Sequence, residues 1–176
     1  MKRFLNEKKG FTLIELLLVV IVLGILAALA IPQFTDASKD TKESTLKQDL
    51  GMVRDTIERY YHQHGNTYPG AKNSTTGAAV TTAAEAATAF GDQLTKLSNS
   101  SGVTTNDFSL RSTYPYGPYL KTGVPVNPLP ASGDPVATVK ADITTTTTVT
   151  ADGTTGWMFA IKTGQLIANN TSYSSW

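Results

Sequence analysis

The stretch that decides the fold is KKGFTLIELLLVVIVLGILAALAI, residues 8–31. From Leu16 to Ile31 every residue is apolar or glycine, and from Phe11 onward only Thr12 and Glu15 interrupt the apolar character. Twenty-one residues of helix rise ~31 Å, enough to cross the hydrocarbon core of a membrane. Before them lie Lys2, Arg3, Lys8 and Lys9 against the single carboxylate Glu7, a local net of +3. Positive charge at one end of a span keeps that end cytoplasmic and sends the rest across.

The whole chain of 176 residues carries +1, so the part beyond Gly10 carries about −2. Basicity is confined to the amino terminus. A near-neutral body argues against a surface built to neutralise phosphates, so a nucleic-acid partner is not expected. There is no cysteine, which excludes disulfides, thiolate chemistry and cysteine-ligated zinc.

Glu15 is the feature that a plain membrane anchor leaves unexplained. A carboxylate within a transmembrane stretch costs roughly 2.5–3.5 kcal/mol on insertion scales, and such groups have partners. No basic residue lies inside the span. The expected partner is another molecule or a new amino terminus. Two simpler readings compete. One is a secretory signal peptide cut near Ala27-Ala28-Leu29-Ala30, the other an uncut signal anchor.

Gly10 followed by Phe11-Thr12-Leu13-Ile14-Glu15, after a basic leader and before an apolar span, resembles the processing motif of type IV prepilins and type II secretion pseudopilins. The resemblance implies cleavage at Gly10–Phe11 by a membrane prepilin peptidase and N-methylation of Phe11. It implies that Glu15 pairs with the amino terminus of a neighbouring subunit, setting register during assembly. Gly24 and Pro32 fall where that family has helix-weakening residues. The same resemblance implies partners: copies of the chain in a helical filament, an inner-membrane platform and a cytoplasmic ATPase.

The rest of the sequence extends the helix. Leu46, Leu50, Val53, Ile57, Tyr60 and His64 recur at helical spacing, and Lys39/Glu43, Glu43/Lys47 and Asp55/Arg59 are i,i+4 pairs on the polar face. Gly65-Asn66 and Tyr68-Pro69 end it. Together these signals predict one helix from about Phe11 to His64, bent or loosened at Pro32. Residues 70–81 read as a loop. A second helix at about 83–98 starts at a Thr82/Glu85 capping box and buries Ala84, Ala87, Phe90, Leu94 and Leu97.

Residues 114–130 hold too many prolines for helix or central strand and read as an ordered loop pinned by tyrosines. Val136–Lys140, Ile143–Thr150, Trp157–Lys162 and Gln165–Ala168 read as strands, with turns at Asp152-Gly153 and Thr163-Gly164. The fold class is α+β. A long amino-terminal helix, half transmembrane and half amphipathic, packs against a small antiparallel sheet head with a short second helix. This is the lollipop architecture of the family it resembles. The segments are a leader (1–10), a membrane and filament-core helix (11–31), its amphipathic continuation (32–64), and a head (65–176) ending in β-hairpins. The loops after Tyr114 and the closing hairpin resemble the G-type major pseudopilins.

No nucleophile motif, phosphate loop or dinucleotide fingerprint is present, so an enzyme is not expected. His62 and His64 lie on different helical faces and read as residues of a solvated helix end rather than metal ligands. Major pseudopilins resembling this chain bind calcium in a carboxyl-terminal loop. Asp134, Asp142 and Asp152 are the carboxylates such a site would draw on, and solvated isolated carboxylates are the default. No other cofactor is implied. The function expected is a structural subunit of a type IV pilus-like filament, first a single-pass protein of the cytoplasmic membrane and then part of an extracellular or periplasmic filament. Two alternatives stay open. One is a major pseudopilin of type II secretion, which lack of cysteine favours. The other is a minor pilin whose head binds DNA or a surface through Lys121, Lys140 and Lys162 with the tyrosines.

Overall fold

The computed structural model describes residues 10–131 and 137–176. The chain divides into two units, Met1–Thr41 and Lys42–Trp176. Expectations placed on the leader, on Asp134 and on the start of the Val136–Lys140 strand fall wholly or partly outside the described residues.

Helix α1 is Leu13–Gln63, 51 residues long, and its backbone stays helical past position 32. Its amino-terminal end is apolar all round, so no side of it is marked out for a particular core. In the second unit the helix becomes amphipathic, and the stripe read from the sequence is buried: Leu46, Leu50, Val53, Ile57 and Tyr60 are each at most 2 % exposed. The helix stops where Gly65 and Asn66 both take left-handed conformations, φ 63° and 59°, a region open to glycine and tolerated by asparagine. The Asn66 amide closes the end on the Tyr61 carbonyl at 3.0 Å.

Helix α2, Ala83–Thr95, begins at the expected capping box. The Glu85 amide donates to Thr82 Oγ1 at 3.2 Å and the Thr82 amide to the Glu85 carboxylate at 3.3 Å. Its buried face is Ala86, Ala89, Phe90, Gln93 and Leu94. Ala84 is exposed and Ala87 only half-buried, so the alanines that are buried lie two residues on from the expected ones. Alanine carries too little apolar surface to fix a face by itself. The helix ends three residues early because Leu97–Ser98 leaves as strand β1, pairing antiparallel with β2, Thr104–Thr105.

The main sheet has three strands, β3 (Val139–Asp142), β4 (Trp157–Ala160) and β5 (Leu166–Ala168), in that order. β4 and β5 form the expected antiparallel hairpin, with Trp157 opposite Ala168 and Phe159 opposite Leu166. β3 runs parallel to β4, so the sheet is mixed rather than wholly antiparallel.

The parallel pairing corrects the reading of Ile143–Thr150 as a strand. A chain that leaves β3 must return to the same end before entering β4, so residues 143–156 become an irregular crossover. Asp142 turns it. Its carboxylate accepts from the amides of Thr144 at 2.8 Å and Thr145 at 2.9 Å, and from both their hydroxyls. Local side-chain bonds of this kind compete with a strand ladder and here override the β-propensity of the threonines.

The core of the second unit joins the α1 stripe to Phe90 and Leu94 of α2, Leu120 of the proline-rich loop, and Trp157, Phe159, Leu166 and Ala168 of the sheet. Phe90 and Phe159 meet at 4.6 Å between ring centres.

Candidate functional site

The amino-terminal segment is built from the start of α1. Thr12 caps the helix that opens at Leu13, and Glu15 is its third residue. The Thr12 amide and hydroxyl both donate to Glu15 Oε2 at 2.8 Å, and the Glu15 amide donates back to Thr12 Oγ1 at 3.3 Å. Thr12-Leu13-Ile14-Glu15 is therefore a capping box, the same device as Thr82-x-x-Glu85. It satisfies donors that every helix start leaves orphaned, and it places a carboxylate at the positive end of the helix dipole.

Behind the cap the helix is uncovered. Phe11 is 86 % exposed and Leu23, three turns on, still 58 %. Among the described residues α1 is the one helix long and apolar enough to cross a membrane, with a window of mean hydropathy 3.0. Phe11, Glu15, Leu16, Val19 and Val20 line one shallow apolar face. Such surface is stable only in lipid or against other protein. Gly10 and Gly24 are exposed with open space beside them, and Gly24 sits within the continuous helix.

Of the aspartates weighed for calcium, Asp134 lies outside the described residues, and Asp142 and Asp152 each have partners of their own. Asp142 spends its oxygens on Thr144 and Thr145. Asp152 pairs with Lys140 and accepts from the Thr154 amide at 3.0 Å and Asn169 Nδ2 at 2.8 Å. These hydrogen bonds, led by Thr145 at Asp142 and by Lys140 at Asp152, hold both carboxyls well below the usual range. Among the described residues no three His, Cys, Asp or Glu side chains are grouped to hold a metal ion. Of the three lysines weighed as a basic patch, Lys140 is matched by Asp152 and Lys162 donates to the Thr144 carbonyl at 3.3 Å.

Sequence reasoning misplaced His64. It is 3 % exposed and stacks on Tyr60 at 3.7 Å, with its ring nitrogens bonded to the Tyr60 carbonyl at 2.9 Å and Ser98 Oγ at 3.0 Å. The signal was present, since His64 continues the buried stripe. The polar stitching of the head was also missed. Gln93, fully buried, accepts from the Gly70 amide and donates to the carbonyls of Lys72 and Gly102, each at 2.8 Å. Asn127 donates to the Gly156 carbonyl at 2.6 Å and accepts from the Leu129 amide at 2.8 Å. The tyrosines do pin the proline-rich loop: Tyr116 bridges to Ser98, and Tyr119 packs edge-on to Tyr60.

Residues 5–31 match the prokaryotic N-terminal methylation motif. The motif thus spans the capped Glu15 and the uncovered apolar helix. Relatives match part of the chain. The type IV major fimbrial protein FimA of Dichelobacter nodosus is 47 % identical over 51 residues, 29 % of this chain and 33 % of its own. The type II secretion system core protein G of Pseudomonas aeruginosa is 39 % identical over 55 residues, 31 % of this chain and 39 % of its own. A fimbrial protein of Neisseria meningitidis is 37 % identical over 78 residues, 44 % of each. The first matches thus cover about a third of the relatives' length. No solved structure matches significantly.

Proposed function

We propose that this chain is a structural subunit of a type IV pilus-like filament, cut after Gly10 and assembled through its amino-terminal helix. The observation that carries the reading is the pairing of a methylation motif with a helix start whose described apolar side chains, from Phe11 to Leu26, are exposed. Residues 1–10 are then a leader. Residues 11–31 hold the precursor in the cytoplasmic membrane and later pack in the filament core. Residues 32–64 carry the helix into the head, and 65–176 complete it.

Cleavage and methylation at Phe11 leave a cation four residues from Glu15. Inside a low-dielectric medium an amine and a carboxylate on adjacent copies orient each other strongly, so the pair sets axial register. Before that partner arrives, the Thr12 amide and hydroxyl occupy Glu15 and lessen the cost of holding it in lipid. Gly24 and Pro32 are positions where the helix loosens as it repacks. A prepilin peptidase, a membrane platform and an ATPase act on the chain from outside it, and the filament extends from the cell or into the periplasm.

A pseudopilin of type II secretion is the second reading. The absence of cysteine and the likeness to core protein G support it. Mass spectrometry of the protein from its native cells tests the common ground: the expected species lacks Met1–Gly10 and carries one methyl on Phe11. Mature protein that retains Met1 would overturn the reading. Imaging of sheared cell-surface material separates a long pilus from a short periplasmic filament.

A further inference from the structure

The crossover between β3 and β4 is rich in threonine, and its threonines divide into two sets. Nine of the eighteen residues from 138 to 155 are threonine. One set is used by the fold. The hydroxyls of Thr144 and Thr145 both donate to the Asp142 carboxylate, that of Thr144 at 2.9 Å. At the far end the Thr154 hydroxyl donates to Asp152 Oδ1 at 2.7 Å and the Thr155 hydroxyl to the Trp157 carbonyl at 2.8 Å. The other set is Thr146, Thr147, Thr148 and Thr150. All four are exposed and lie outside every strand, and their hydroxyls have no hydrogen-bond partner among the described residues.

The backbone that carries these free hydroxyls is held on both sides. Before them, Asp142 accepts from the amides of Thr144 and Thr145, and Lys162 donates to the Thr144 carbonyl at 3.3 Å. Among them, Val149 is 4 % exposed, packed in a second apolar cluster with Met158, Ala160 and Ile167. Its amide donates to Gln165 Oε1 at 2.9 Å. The hydroxyls are thus presented at a fixed place on the head. Exposed loop tips are ordinarily built from glycine, proline, asparagine, aspartate and serine. Threonine suits a strand, and here no ladder uses it. What the tip offers is a cluster of free secondary hydroxyls.

We propose that Thr146, Thr147, Thr148 and Thr150 are acceptors of O-linked sugar, transferred from a glycosyl diphosphate. Threonine-rich surface segments have the composition of such acceptors. In the transfer, threonine Oγ1 bonds to the anomeric carbon of the sugar. The bond from that carbon to the diphosphate oxygen breaks, its electron pair leaves with the diphosphate, and the hydroxyl proton passes to a base of the transferase. Thr144 and Thr145 are poorer acceptors, since reaction there breaks their bonds to Asp142 and loosens the turn. A neutral sugar also fits the surroundings better than a phosphoryl group, because Asp142 and Asp152 stand at the two ends of the crossover and like charge repels. The inference rests on the filament reading in one respect: that reading carries the head across the membrane.

Trypsin cuts after Lys140 and Lys162 and releases the whole crossover as Ala141–Lys162. Mass spectrometry of this peptide, from the protein of its native cells, is expected to show sugar increments. Electron-transfer fragmentation should place them on Thr146, Thr147, Thr148 or Thr150 and leave Thr144 and Thr145 bare. Changing the four acceptors together to alanine should abolish the increments and speed migration of the full chain in a denaturing gel, which reads the loss whether or not the variant folds well. A bare wild-type peptide would overturn the proposal, as would sugar confined to other threonines or a phosphate increment in place of sugar. Failure of the filament reading looks different: the protein would keep Met1, and sugar at the four threonines would then still uphold the site.

Discussion

Thr12 holds Glu15 by two bonds to one oxygen, from its own amide and its own hydroxyl, each 2.8 Å long. The second residue beyond the proposed cut thus organises the carboxylate to which the proposed function gives the registering role. The backbone bond survives any substitution at Thr12 except proline, whereas the hydroxyl bond does not.

Thr12→Val therefore isolates the hydroxyl. Loss of such a cap costs about 0.5–2 kcal/mol at the helix end. The variant is expected to be made and cut normally but to assemble less, while Thr12→Ser assembles like the wild type. Filament yield against precursor level reads this directly, and equal yields for Val and Ser would remove Thr12 from the mechanism.

Glu15→Gln keeps the shape and removes the charge. Membrane insertion should be unchanged or better, since an amide in the span costs less than a carboxylate. Cleavage should persist and filament yield should collapse. Normal filaments from Glu15→Gln would show that the charge has no registering role.

In the head, Gln93→Leu keeps the volume but leaves the Gly70 amide and the Lys72 and Gly102 carbonyls without their partner. Unpaired buried polar groups cost about 1–3 kcal/mol each before relaxation, so a loss of about 2–4 kcal/mol is expected. Thermal melting in detergent, followed by the near-ultraviolet signal of the tryptophans, checks it. A variant that melts with the wild type would mean water replaces the side chain without loss.

Burial pushes His64 below its ordinary pKa of 6.5, helped by Lys72 and opposed by hydrogen bonding to the Tyr60 carbonyl. Its folded pKa is thus lower than its unfolded one. Between the two, the unfolded chain binds a proton that the folded chain does not, so stability rises with pH there. The contribution is complete above the unfolded value of about 6.5 and is lost as pH falls from there through the lower folded value. Melting temperature should drop between pH 7 and pH 5, and His64→Phe should flatten that slope even though it lowers stability overall. An unchanged slope would assign the effect to other groups.

Gly164 stands at φ 74°, and a Cβ there would lie 2.3 Å from two ring carbons of Tyr68. Gly164→Ala should destabilise the head by more than the ~1 kcal/mol of the backbone term alone, because the ring must move as well. A melt within error of the wild type would show that Tyr68 swings away freely.

The long helix was legible because its signals are periodic and redundant: the apolar run, the Leu46-to-His64 stripe and the Gly65-Asn66 stop all agree. The capping box at Thr82 was legible for the same reason, being a local rule with two residues in fixed spacing. The equivalent box at Thr12 was hidden by its double use, since the same four residues also read as a processing motif. Strand direction was not legible, because nothing in Val139–Asp142 says which way its partner runs. The threonines after Asp142 misled because propensity is an average, and one aspartate that turns the chain outweighs five residues that favour a strand. Gln93, Asn127 and Ser98 became visible only in the fold, where their partners come from distant segments.

The crossover that Asp142 begins has a practical side. Thr146, Thr147 and Thr148 are exposed, while the chain is fastened before them at Asp142 and after them where the Val149 amide meets Gln165 Oε1 at 2.9 Å. Loop tips of small polar residues tolerate insertion best when both stems are held by the fold. A short epitope or a dye-acceptor peptide placed between Thr146 and Thr147 would ride on the head without entering its core. It would leave the amino-terminal helix untouched, and so let the protein be followed by light in living cells.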